Sequence, residues 1–155
     1  EIAGPDGTRT VPVEDIPTGP GQTSLQQGEL VTAITLPDRA ANSGSAYLRF
    51  IPRTEMDNAV VCVGITLTLD GDKVTQARIA LGAVGPKVII AEDAANALIG
   101  TTGDEAALDA LAAATSAAAT PIHDKRGTAE FRRDVTGVLD KRTAKIALAR
   151  AKGEA

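Results

Sequence analysis

At 155 residues, with 43% apolar and 23% charged residues and a formal net charge of -4, the chain has room for one domain with a real core and is crowded for two. That balance disfavours a disordered segment and a basic nucleic-acid binder, and no apolar run approaches the ~20 residues of a membrane helix. A single cysteine excludes an internal disulfide and a zinc knot, and the opening EIAGPDGTRT lacks the basic and apolar regions of a secretory leader, so the chain reads as cytosolic.

Residues 1–27 are rich in Gly, Pro, Thr and Gln and read as loop and connector, with Thr10 to Val13 as a candidate edge strand. The opening GPDG without an initiating Met suggests a processed product or the downstream part of something longer. From Gly28 the character changes. GELVTAITLP alternates Leu30, Thr32, Ile34 and Leu36 against Glu29, Val31, Ala33 and Thr35, which predicts a strand ending at Pro37. DRAANSGS is turn-forming, and Ala46 to Ile51 reads as a second strand stopped by Pro52. Two β-branched runs then flank Asp70-Gly71, a dipeptide that tolerates the positive φ of a tight hairpin. Residues 59–69 are apolar on both faces at first, so that strand is expected to be central, and Val74, Ile79 and Leu81 mark the inward face of the next.

Beyond Pro86 the period becomes helical. AEDAANALIG puts acids in the first turn and ends on Gly100; GDEAALDALAAATSAAAT repeats the device with Leu108 and Leu111 on one face and stops before Pro121. From about Thr128 to Lys152 a third helix is predicted, with Phe131, Val135, Val138, Leu139, Thr143, Ile146 and Ala149 as its apolar stripe. Strands first and helices last give an α+β domain: a three- to four-stranded antiparallel sheet with helices packed on it.

Few residues invite chemistry. TGPGQT offers glycines, but Pro20 lacks an amide hydrogen and no strand leads into a helix there, so a turn is the better reading than a phosphate cradle. His123 has no marked co-ligands and is read as a residue at a helix start; Cys62, in AVVCVGITL, is read as buried and inert. HDKRGTAEFRR mixes both signs: Thr128 as an N-cap and Asp124 paired with an arginine is preferred over a docking surface. SAYLRFIPRTEMDNA concentrates the only tyrosine and the only methionine beside Arg49 and Arg53. On a strand, Tyr47 and Arg49 share one face, with Leu48 and Phe50 on the other. A phenol beside a guanidinium suits a flat, partly anionic ring, but ordinary surface and core roles stay open, and Met56 reads as gap filling.

Three stretches in order, GPDGTRTVPVEDIPTGPGQTSLQQGELVTAITLP, SAYLRFIPRTEMDNAVVCVGITLTLDGDKVTQARIALGAVGPKVIIAEDAANALIG and PIHDKRGTAEFRRDVTGVLDKR, resemble the C-terminal part of the FAD-binding medium subunit of molybdenum hydroxylases of the carbon monoxide dehydrogenase and xanthine dehydrogenase type. The resemblance implies that residues 1–27 are the tail of an FAD-binding domain and 28–155 a carbon monoxide dehydrogenase flavoprotein C-terminal-like domain. It also implies that the glycine-rich segments holding the FAD pyrophosphate lie in an N-terminal half not contained in this sequence. Three residues are implied to close over the flavin: Val31 against the ring system, Tyr47 shielding one face, and Arg49 at a polar edge. The family commonly has lysine at the last position, and IPRTEMDNA carries what looks like one extra residue.

The same resemblance implies an electron-transfer role inside an oxidoreductase. A large subunit holds the molybdenum cofactor and selects the substrate, and a small subunit holds two iron–sulfur clusters that feed electrons to FAD. This chain has too few cysteines for a cluster. On its own it is expected to be inactive and to bind FAD weakly or not at all. The alternative of another class is a stand-alone, non-catalytic module that docks oxidoreductase subunits.

Overall fold

A computed structural model describes residues 1–53 and 57–154, so Met56 lies outside the described residues. The chain divides into two compact units, Glu1–Arg39 and Ala40–Ala155.

In the first unit, β1 (Ile2–Gly4) turns through Pro5 and Asp6 into β2 (Gly7–Arg9), and β3 (Pro17–Gly19) forms a hairpin with β4 (Gln22–Thr23). The TGPGQT segment is therefore a turn, with Gly21 at φ +68°. β5 (Leu30–Val31) joins the free edge of β1, giving the antiparallel order β2-β1-β5. The edge strand expected at residues 10–13 is absent, because Pro12 leads into a single 3-10 turn at Val13–Asp15. The strand expected across GELVTAITLP is likewise cut to two residues: past Val31 the run has β1 beside it only as far as Ala33, whose carbonyl accepts the Glu1 amino group at 2.8 Å. Ile34 and Leu36 are exposed. What holds the unit is Arg9, whose guanidinium forks onto both Glu29 oxygens at 2.8 Å and reaches the Ser24 carbonyl at 3.1 Å.

The second unit is built on the antiparallel sheet β6 (Ser43–Phe50), β7 (Val61–Asp70), β8 (Lys73–Gly82) and β9 (Ile89–Ile90), in that spatial order. β7 is central, as its doubly apolar start predicts. Val61, Val63, Ile65, Leu67 and Leu69 point inward with Val74, Ile79 and Leu81 of β8, all essentially buried. The hairpin turn is one residue later than expected: Asp70 pairs with Lys73, leaving Gly71 and Asp72 as the central pair with Gly71 at φ +57°, the placement of glycine in a type II′ turn.

Three helices cover the inner face. α1 (Glu92–Leu98) lies against β8, α3 (Ala129–Lys152) against β6 and β7, and α2 (Glu105–Ala118) packs between α1 and α3. Asp104 and Thr128 cap α2 and α3 by accepting the amides of Ala107 at 2.9 Å and Phe131 at 3.1 Å. β6 begins earlier than predicted, at Ser43, for a packing reason. A methyl group on Gly44 would sit 1.9 Å from the Ala147 carbonyl oxygen, so the backbone of α3 crosses β6 at a residue without a side chain. Such close approach also displaces the predicted stripe of α3. Its buried face is Ala144, Ala147, Ala151, Thr136 and Thr143 with Leu139 and Leu148, whereas Phe131 and Val138 are exposed.

Candidate functional site

The outer face of the sheet carries the residues singled out by the sequence. Tyr47 projects from β6 directly opposite Gly64 of β7, which is opposite Ala80 of β8 and in turn Ile90 of β9. The adjacent row is Arg49, Cys62 and Gly82; the row on the other side is Ser45, Thr66 and Arg78, with the Ser45 and Thr66 hydroxyls 3.0 Å apart. Around Tyr47 the sheet thus shows glycines, an alanine and a thiol, and the tyrosine stands on this floor 62% exposed. The neighbouring Cys62 side chain and partial burial push the Tyr47 hydroxyl above its ordinary pKa, with Arg49 opposing.

Tyr47 and Arg49 therefore share one exposed face, as their spacing implies. Val31 belongs to the first unit, on β5 opposite Ile2 and half-exposed. The inner side of β6 differs from expectation: Leu48 is only partly buried, and Phe50 is exposed, its ring edge-on to Phe131 at 6.4 Å between centroids. Cys62 is half-buried on the outer face, not sealed in the core, because the alternation of β7 turns every second residue outward.

The remaining candidates are structural. His123 is exposed and accepts the Ala129 amide on Nδ1 at 3.4 Å, at the start of α3. Among the described residues no cluster of His, Cys, Asp and Glu is suited to a metal. Asp124 pairs with Arg126 at 2.9 Å and with Arg132 at 3.5 Å, and the Arg126 amide and guanidinium hold its carboxyl below the usual range. Sequence reasoning missed the small-residue floor itself. The signal was present, since a glycine inside a β-branched run marks a place where something approaches the backbone closely. Such a face has no nucleophile–base pair; it can stack a flat ring and hydrogen-bond its rim.

The match to known proteins falls on the same part of the chain. Residues 46–147 match the family described as the CO dehydrogenase flavoprotein C-terminal domain. The chain is 38% identical over 152 residues to the carbon monoxide dehydrogenase medium chain of Afipia carboxidovorans, covering 98% of this chain and 52% of the relative. It is 27% identical over 155 residues to the xanthine dehydrogenase FAD-binding subunit of Escherichia coli O157:H7, covering 99% and 53%. The solved structure of reconstituted CO dehydrogenase from Oligotropha carboxidovorans superposes with a TM-score of 0.91 at 36% identity, over 96% of this chain and 52% of that one. The chain spans about half the length of the relatives it matches.

Proposed function

This chain belongs to the family of the CO dehydrogenase flavoprotein C-terminal domain, and from that premise we propose that it is the C-terminal part of the FAD-carrying electron-transfer subunit of a molybdenum hydroxylase. In this reading residues 1–27 are the tail of the FAD-binding domain and 28–155 the domain that closes over the flavin ring. The observation that carries it is the exposed Tyr47 beside the small residues Gly64, Ala80 and Gly82, inside the matched region: that part of the face leaves room for a planar ring system.

FAD, when bound, supplies the electron transfer itself, between iron–sulfur clusters in a small subunit and an external acceptor. The chain's own residues bind and shield. Tyr47 lies against the ring, Arg49 on the same face donates hydrogen bonds to a polar edge, and Val31 adds an aliphatic contact. None of them is asked to move a proton. The molybdenum-binding large subunit and the iron–sulfur small subunit are the proposed partners, and the substrate is chosen in the former. The family reading proposes a cytoplasmic location for the assembly. Separately, no helix among the described residues is long and apolar enough to cross a membrane.

In the FAD-bearing subunit, Tyr47→Ala is expected to weaken flavin affinity roughly 2- to 12-fold, the worth of one aromatic stack, and to shift the visible flavin spectrum. An unchanged affinity, spectrum and reduction potential would remove Tyr47 from the site.

A further inference from the structure

In the first unit one strand outruns its partner. β1 runs antiparallel to β5 with Ile2 opposite Val31 and Ala3 opposite Leu30, and the pairing carries on past β5, the Thr32 amide donating to the Glu1 carbonyl at 3.0 Å. The Glu1 amino group then donates to the Ala33 carbonyl at 2.8 Å. Beyond it residues 34–36 run on with no strand beside them among the described residues. Leu30, Ile34 and Leu36, on one face of the alternation, are 70%, 74% and 83% exposed. An apolar segment with open backbone groups is a template for one more strand. The ladder advances one residue on each strand, so the residue preceding Glu1 in a longer chain falls opposite Ala33, and the three before that fall opposite Ile34, Thr35 and Leu36.

We propose that residues 34–36 are the docking site for the segment directly preceding Glu1 in the FAD-bearing subunit, which continues β1 backwards and completes its ladder with the run that begins at β5. The amino group selects this occupant. A separate strand laid along residues 34–36, from a second copy of the chain for example, would abut a charged ammonium 2.8 Å from the Ala33 carbonyl. Continuing the chain replaces that charge with a neutral amide already beside the ladder. Growth from a strand held in register also avoids most of the ordering cost of a free one. The consequence concerns Val31: it sits on β5, so a shared ladder ties the residue proposed to touch the flavin to the half of the subunit that holds the FAD pyrophosphate. That such a half precedes Glu1 rests on the function proposed above; the register and the open edge do not.

Amide hydrogen exchange without flavin tests this. In the 155-residue chain the amides of residues 34–36 are expected to exchange near the free rate. In a chain lengthened at Glu1 by the four residues that precede it in the FAD-bearing subunit, alternate amides among them are expected to slow roughly 10-fold or more, and to do so equally in the whole subunit. Amides that stay fast in both longer forms overturn the proposal. Protection in the whole subunit with none in the four-residue extension also overturns it, because another element then covers the edge. Protection in the 155-residue chain that grows with its concentration does the same, because a second copy then fills the site. Since no flavin is present, a failure here is separate from a failure of the Tyr47→Ala test, which reads the flavin contact.

Discussion

Arg132 shows how one side chain decides the start of α3. It is 4% exposed and sits in the first turn, where its Nη1 donates to the Ile122 carbonyl at 3.0 Å and its Nε to that of Val60 at 3.3 Å. Its Nη2 reaches the carbonyl of Ala83, a non-glycine residue held at φ +65° just past β8. One planar cation thus ties the start of β7, the exit of β8 and the loop before α3, with Asp124 at 3.5 Å balancing its charge. Arg132→Ala would leave three carbonyls short of a partner, a loss of about 3 kcal/mol or more. Lysine is expected to recover little, since an ammonium on a flexible stem does not reproduce the fork. Denaturant midpoints of the parent, the alanine and the lysine variants measure this; a lysine variant as stable as the parent contradicts it.

At the scale of elements, the crossing of α3 over Gly44 sets how closely helix and sheet pack. A methyl group there meets the Ala147 carbonyl oxygen at 1.9 Å and the Ala151 amide nitrogen at 2.6 Å, and both are backbone atoms of a long helix that has no easy way to yield. Gly44→Ala should therefore cost roughly 3 kcal/mol or more, read as a lowered unfolding midpoint, while the same change at Gly64 meets only a 3.8 Å contact and is expected to be nearly neutral. This crossing also explains what the sequence did and did not disclose. The hairpin strands β7 and β8, and the helices α2 and α3, were legible because β-branched runs flanking a turn, acids in a first turn and the cap Thr128 are local signals. The face that α3 buries was not, because period 3.6 favours the larger apolar residues, whereas the proximity of β6 selects alanine and threonine and leaves Phe131 and Val138 outside. The strands β1 to β4 of the first unit were invisible for a related reason: two- and three-residue strands are too brief to show a period. At the site, spacing alone placed Tyr47 and Arg49 on one face. The floor beneath them needed the pairing register, which no single strand contains.

At the scale of the whole molecule, two of the shifted carboxyls pull stability in opposite directions with pH. In the first unit the Arg9 fork, with the Gln26 amide, lowers the Glu29 carboxyl to about 2, so its contribution is present above the ordinary glutamate pKa and is lost as the pH falls through about 2. In the second, Asp140 of α3 is fully buried, and neither of its carboxylate oxygens has a hydrogen-bond partner among the described residues. The Thr115 hydroxyl alongside gives its proton to the Leu111 and Ala112 carbonyls, both at 3.1 Å, and only partly offsets the burial, which raises the carboxyl to about 7. A raised folded pKa means that the neutral acid is the form the core accepts. The unfolded chain ionises this group from about pH 4, so its contribution to stability is complete below that value and is lost as the pH rises through about 7. The full swing is on the order of 4 kcal/mol, taken from the distance between those two values. Asp140→Asn keeps the shape and cannot ionise, so its stability relative to the parent should grow steadily between about pH 4 and 7 and level off above. Chemical unfolding of both proteins across that range measures the difference directly, and because it is a difference, Glu29 and every other carboxyl drops out of it. A gap that stays constant with pH would mean that Asp140 is already charged, and hydrated, inside the fold.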